Sequence, residues 1–108
     1  WYHNFNKWRG NSSDLFFTSG AGTLIPARIM PQDTFNKEVF KDICFLADDV
    51  WLNFQARKKK IKVITNNFYN KDEISIGKTQ RVKLVQQNVL VGGNDKQIDA
   101  VKNYLKFE

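Results

Sequence analysis

Apolar and polar positions follow one another along the chain in a pattern that predicts strands interleaved with helices. A compact apolar run at residues 14–18 is followed by residues 19–22, Ser-Gly-Ala-Gly, which is typical of a buried strand entering a glycine turn. The alternating, β-branched stretch at residues 61–65 is the clearest strand in the sequence. Because helical periodicity separates and follows these runs, we expect an α/β fold.

Two central helices are predicted from apolar spacing and from the residues at their ends. The first begins at a cap on Asp33 or Thr34 and reaches about Cys44. The second begins at the acidic pair Asp48 and Asp49 and ends at residue 58 or 59. Its carboxylates lie in the first turn and its basic residues in the last, as the helix dipole favours.

Three further helices are predicted nearer the ends of the chain. A short amphipathic helix over the first residues ends near Gly10, and a second helical stretch covers residues 79–87. After a glycine turn, Asn94 or Asp95 caps the last helix. Its expected inner face consists of Ile98, Val101 and Leu105.

Composition places the chain among globular proteins. It has 108 residues, of which 42% are hydrophobic and 26% charged, with no repeat or low-complexity tract. We therefore expect one unit over residues 1–108.

A single cysteine, Cys44, excludes an internal disulfide framework and a multi-cysteine zinc site, and we expect it in the core. Because the sequence opens at Trp1 without an initiating methionine, we expect a piece from the middle of a longer fold.

The formal net charge of +6 favours an anionic partner: nucleic acid, a nucleotide-bearing ligand or an anionic membrane surface. One hypothesis is therefore a non-catalytic basic α/β module that binds nucleic acid or an acidic partner. Such a module should gather its lysines on one face beside exposed aromatic rings. Here the bases are scattered along the chain, and the run at residues 58–60 is typical of a solvated helix end. The clustered acids favour a catalytic function instead.

Two motifs could carry chemistry, and each also has a purely structural interpretation. Gly20, Ala21 and Gly22 could let a ligand approach the main chain, or could form an ordinary tight turn, since no complete phosphate-loop signature is present. Asp48 and Asp49 could cap a helix. Alternatively, one of them could point into a cleft as a general base whose proton affinity is raised by its like-charged neighbour.

The order of these segments resembles one region of certain bacterial glycosyltransferases, the C-terminal half of the A-type nucleotide-sugar-binding fold. The similar segments are Asp-Leu-Phe-Phe-Thr-Ser-Gly-Ala-Gly-Thr-Leu-Ile-Pro, Phe-Asn-Lys-Glu-Val-Phe and Ala-Asp-Asp-Val-Trp-Leu, followed by a basic helix end and a strand. The resemblance spans about residues 14–106. Its motifs are fairly specific in combination and weak one by one.

The resemblance implies a role for each matching residue. Gly20, Ala21 and Gly22 would approach the donor sugar or its diphosphate. Asp49 would be the base that deprotonates the acceptor hydroxyl in an inverting transfer, with Asp48 assisting or binding the acceptor. Trp51, which could equally be a simple core residue, would pack behind the acid pair at the donor and acceptor site.

One departure from the family pattern limits what the chain could do alone. Such enzymes hold the nucleotide diphosphate through a divalent metal, manganese or magnesium, bound by an Asp-x-Asp motif, and no Asp-x-Asp occurs in this sequence. We therefore expect a C-terminal fragment of a partial A-type glycosyltransferase catalytic domain, without a metal site and inactive alone. The expected partners of the full-length enzyme are a nucleotide sugar and a glycan or lipid-linked acceptor, not nucleic acid.

The expected location is the cytoplasm, with peripheral membrane association as an alternative. A truncated fold would leave apolar surface or a sheet edge uncovered, so we expect the fragment to self-associate.

Overall fold

A computed structural model describes residues 10–12, 15–18, 22–65 and 86–107, and helices dominate this part of the chain. The elements, in chain order, are strand β1 (Gly10–Ser12), 3-10 turns at Ala27–Ile29 and Gln32–Phe35, helix α1 (Lys37–Ile43), helix α2 (Asp48–Lys58), strand β2 (Val63–Thr65), a π-helical turn at Gln86–Leu90 and helix α3 (Gly93–Leu105). None of the helices in these ranges is long and apolar enough to cross a membrane.

The prediction of an α/β, A-type fold is wrong. The strands in the described ranges are the three-residue β1 and β2, which pair antiparallel with Gly10 opposite Thr65. The apolar run at residues 15–18 forms no regular strand. Its main chain is satisfied differently, because the N–H and the carbonyl of Phe17 both bond to the side chain of Asn53 on α2. A side-chain amide thus replaces the strand neighbour that the pattern predicted.

Helix α1 begins later than the sequence predicts. The expected capping residues Asp33 and Thr34 belong to the preceding 3-10 turn, in which the N–H of Asn36 donates to the carbonyl of Asp33. Asn36 is the N-cap instead, and its side chain accepts a hydrogen bond from the N–H of Val39 at 3.4 Å.

Helix α2 spans Asp48–Lys58, so the predicted bounds are confirmed. It is buried on most of its circumference rather than along one stripe, and it packs against α3. The core that the helices enclose consists of Cys44, Ala47, Val50, Trp51, Phe54, Val101 and Leu105.

Helix α3 shows the predicted inner face, with Val101 and Leu105 buried and Ile98 packed against the core. Its predicted cap is wrong, since Gly92 precedes the helix in the left-handed conformation, at φ 70°. Glycine adopts this conformation without the steric cost of a Cβ atom. Of the other predicted helices, residues 1–9 and 79–85 lie outside the described ranges, and Gln86 opens the π-helical turn.

Truncating the α2–α3 interface should destabilise the protein strongly. Leu105 is 4% exposed, so we expect Leu105→Ala to lower the free energy of unfolding by about 2–5 kcal/mol through lost burial and the cavity left behind. Leu24 is 94% exposed, and Leu24→Ala should change the free energy of unfolding by less than about 0.5 kcal/mol. Urea unfolding followed by circular dichroism measures both, and equal effects would contradict this core assignment.

Candidate acid site at the start of helix α2

The acid pair lies in the first turn of α2, as predicted, but neither residue is the N-cap. That position belongs to Ala47, whose side chain makes no capping hydrogen bond. Asp48 is exposed, whereas Asp49 is half-buried and its Oδ1 accepts from the N–H of Val50 at 2.9 Å. The two carboxylates therefore have different environments, and capping explains only part of the arrangement.

Burial raises the pKa of Asp49 above the ordinary aspartate value of 3.8, and the negative charge of Asp48 adds to the shift. The hydrogen bond from the Val50 N–H lowers the pKa but does not cancel the rise. Burial and the charge of Asp48 both disfavour the charged form of Asp49, so they make its carboxylate more ready to accept a proton. A raised pKa is one property that a general base needs.

Asn53 lies one helical turn beyond Asp49 and therefore on the same face of α2. Its side chain is 1% exposed and is fully engaged with main-chain atoms. Oδ1 accepts from the N–H of Phe17 at 2.9 Å, while Nδ2 donates to the carbonyl of Phe17 at 2.6 Å and to that of Asp49 at 2.7 Å. One nitrogen thus bridges the acid-bearing turn and the segment that leads to the glycines.

Of the predicted glycine segment, Gly20 and Ala21 lie outside the described residues. Gly22 adopts φ 87°, a left-handed conformation that favours glycine, and a Cβ atom there would meet nothing within 4 Å. Conformation, not close packing, therefore explains a glycine at this position. Next to it, the hydroxyl of Thr23 donates to the carbonyl of Thr18 at 2.9 Å. Whether the glycines share a cleft with the acids stays a prediction, and the bonds at Phe17 support it.

Trp51 is 2% exposed and lies in the core. Its Nε1 donates to the carbonyl of Thr34 at 2.9 Å, and its ring lies about 6 Å from those of Phe40 and Tyr104. The ring is packed inside the core, and it has no open face on which a sugar could stack.

Sequence reasoning missed two buried carboxamides, Asn53 and Gln55. Gln55 is 0% exposed, and its Nε2 donates to Oδ2 of Asp33 at 3.0 Å. The other carboxylate oxygen of Asp33, Oδ1, accepts from the hydroxyl of Tyr104 at 2.8 Å. Burial alone would raise the pKa of Asp33, but the hydrogen bonds from Gln55 and Tyr104 hold it below its usual value. The available signal was the position of two amides in the middle of an otherwise apolar helical stretch.

The residues in the described ranges contain no group of three or more His, Cys, Asp or Glu side chains that could hold a metal ion. Comparison with family models, curated proteins and solved structures found no match to this chain.

The opposite pKa shifts of two aspartates predict opposite effects of pH on stability. The raised pKa of Asp49 means that the fold favours its protonated form. The stability that this form contributes is present below pH 3.8 and is lost as the pH rises through the raised pKa. Asp49→Asn should therefore gain melting temperature relative to the wild type on going from pH 3 to pH 7. Thermal melts at both pH values measure this difference.

Asp33→Asn is the matched control. The lowered pKa of Asp33 means that its charged form stabilises the fold above 3.8, and this contribution is lost as pH falls. The variant should therefore be less stable than the wild type at pH 7, and the gap should narrow toward pH 3. The same sign of pH dependence for both variants would contradict the assignment of the two environments.

Cys44 should be unreactive in the folded chain. It is 0% exposed, its Sγ donates to the carbonyl of Ala47 at 3.1 Å, and burial raises the pKa of the thiol to about 11. Since the thiolate is the nucleophile, Ellman's reagent should label the native protein at least tenfold more slowly than the urea-unfolded protein. Equal rates would show that this part of the core opens readily.

Proposed function

We propose that this chain carries the acceptor side and the general base of an inverting glycosyltransferase, which moves a hexose from a nucleotide sugar to a glycan or lipid-linked acceptor. The observation that carries the proposal is the half-buried Asp49 carboxylate with its raised pKa, beside an exposed second acid. A base must hold the proton it takes, and it works best when its pKa is moved toward the working pH.

The proposed step transfers one proton and exchanges one bond. The acceptor hydroxyl gives its proton to the Asp49 carboxylate while its oxygen bonds to the anomeric carbon of the donor sugar. On the opposite face the bond from that carbon to the diphosphate oxygen breaks, and the nucleoside diphosphate leaves with the electron pair. Attack opposite the leaving group inverts the anomeric configuration. Residues outside the described ranges would bind the diphosphate.

The environments of the two acids support Asp49 as the base and Asp48 as an acceptor-binding group. Asp48 is exposed and can accept hydrogen bonds from sugar hydroxyls. The partial burial of Asp49 brings its proton affinity closer to that of the reacting hydroxyl. We place this activity in the cytoplasm, beside a membrane when the acceptor is lipid-linked.

The rival function, a basic binding module, has its best support at the other end of α2. The exposed basic residues Arg57–Lys60 lie about 16 Å from the acid pair, the length of the eleven-residue helix. The guanidinium of Arg57 lies 6.0 Å from the ring centroid of Phe54, so part of this charge is engaged within the chain. Charges of this sign are also what the helix dipole favours, and they need no external partner.

Replacing the proposed base should abolish most turnover and leave the fold intact. In the full-length gene product, Asp49→Asn keeps the shape of the side chain and can still accept the Val50 hydrogen bond. An amide cannot take up the hydroxyl proton, so kcat should fall by roughly 10²–10⁴-fold. The measurement is the initial rate of nucleoside diphosphate release from uridine diphosphate hexoses with manganese and lipid-linked glycan as acceptor.

Asp48→Asn is the matched control, because it removes the neighbouring charge but leaves the base. We expect a smaller loss of kcat, together with a higher KM for the acceptor. Near-normal turnover of Asp49→Asn would contradict the proposal. Tight binding of a nucleic acid by a protein that transfers no sugar would favour the rival function.

A further inference from the structure

Exposed apolar residues gather at the end of the molecule where α2 begins. Two segments contribute them, the connection between α1 and α2 and the end of the π-helical turn, and Nδ2 of Asn88 in that turn donates to the carbonyl of Leu46 at 2.6 Å. The two segments therefore lie side by side. We call this surface the apolar patch, and it consists of Phe45, Leu46, Val89, Leu90 and Val91. Monomeric proteins rarely expose so many neighbouring apolar residues unless the surface binds something.

We propose that the apolar patch binds a second copy of this chain, in a head-to-tail contact with the basic strip that follows α2. The basic strip is a run of exposed residues, Lys59, Lys60, Lys62 and Ile64. This inference concerns association between copies, so it does not rest on the proposed function.

Hydrogen bonds hold the apolar patch in one arrangement. The N–H of Leu46 donates to Oε1 of Gln97 at 3.0 Å, and Nε2 of Gln97 donates to the carbonyl of Gly93 at 3.2 Å. Together with the bond from Asn88, both main-chain groups of Leu46 are held by side chains of the π-helical turn and of α3. A surface that is already ordered loses little conformational freedom when it binds, so this patch is suited to docking.

The charges that border the apolar patch favour a basic partner. Residues 45–46 lie between the last turn of α1 and the first turn of α2, and residues 89–91 come just before the first turn of α3. These three turns carry four acids and two lysines, which are Asp42, Asp48, Asp49, Asp95, Lys41 and Lys96. The border therefore has a formal charge of −2 in a chain whose net charge is +6. It disfavours an anionic membrane or a nucleic acid, and it favours an apolar surface flanked by positive charge.

The basic strip offers that combination. Residues 50–65 contain no acid. Lys62 and Ile64 alternate with half-buried neighbours, so they lie on the same exposed face of the extended chain, and Ile64 is 80% exposed. Lys58 is left out of the strip, because its charge helps to lower the pKa of Asp33 and is therefore engaged within the chain.

The apolar patch and the basic strip lie on either side of α2. One precedes the helix and the other follows it, and the helix between them has eleven residues and is about 16 Å long. A contact between the two surfaces therefore joins two molecules. A two-fold contact of patch with patch would instead place the acidic borders against each other, and repulsion disfavours it. A head-to-tail contact leaves one surface free at each end, so it propagates into chains or closes into a ring.

Sedimentation velocity of the full-length gene product tests the association. A contact of this size is weak, so the concentration is varied from about 10 μM to about 1 mM, and the mean sedimentation coefficient of the wild type should rise across this range. Leu90→Lys places a positive charge in the patch, and Ile64→Glu places a negative charge in the strip. Each variant alone should remain monomeric. Both positions are exposed, so neither substitution disturbs the core. Leu24→Lys, at an exposed leucine that belongs to neither surface, should associate as the wild type does.

Mixing the two variants identifies the surfaces that meet. Leu90→Lys keeps an intact strip and Ile64→Glu keeps an intact patch, so one contact of the proposed kind remains available. An equimolar mixture should form a dimer with one copy of each variant and nothing larger, although each variant alone is monomeric.

Three results would overturn the inference. A wild type that stays monomeric at the highest concentration would show that the patch does not bind a second copy, and binding of this monomer, but not of Leu90→Lys, to phosphatidylcholine vesicles would assign the patch to a membrane surface. Association that persists in Ile64→Glu and is lost in Leu90→Lys would indicate a two-fold contact of patches. A mixture of the two variants that stays monomeric would show that the patch and the strip do not meet.

Discussion

The structure depends on the burial of α2 together with two polar side chains in its middle. Asn53 and Gln55 are almost completely excluded from solvent, so their amide groups must find partners inside the protein. Asn53 finds them at the main chain of Phe17, and Nε2 of Gln55 finds one at the carboxylate of Asp33, whereas Oε1 of Gln55 is buried without a hydrogen-bond partner. Two amides on one helix thus attach the segments of Phe17 and Asp33 to the core. Apolar contacts alone would align these two segments less strictly than hydrogen bonds do.

The acid site follows from the same constraint. Because the middle of α2 is buried, its first turn emerges at the edge of the core, where Asp48 reaches solvent and Asp49 is half-buried. That difference raises the pKa of Asp49 and distinguishes two adjacent carboxylates of identical chemistry. Trp51 anchors the same end of the helix, since its ring is buried and its Nε1 donates to the carbonyl of Thr34.

The bounds of α2 could be predicted because its acidic start and basic end are local signals. The failure at residues 15–18 has a physical cause, since the partner of that apolar run is a side chain distant in sequence and not another strand. Asn53 and Gln55 were missed for a related reason: their residue types suit an exposed helix surface, and only tertiary packing buries them. The acids were found by pattern, but their unequal environments required the fold.

In the proposed function, burial at the start of α2 prepares Asp49 to act as a base, and the pH dependence of kcat/KM tests this role. We expect that transfer by the full-length gene product rises with pH along an acidic limb, with an apparent pKa above 3.8. That limb should disappear in Asp49→Asn and persist in Asp48→Asn at a lower pKa, because the neighbouring charge is gone. An acidic limb unchanged in Asp49→Asn would contradict the account.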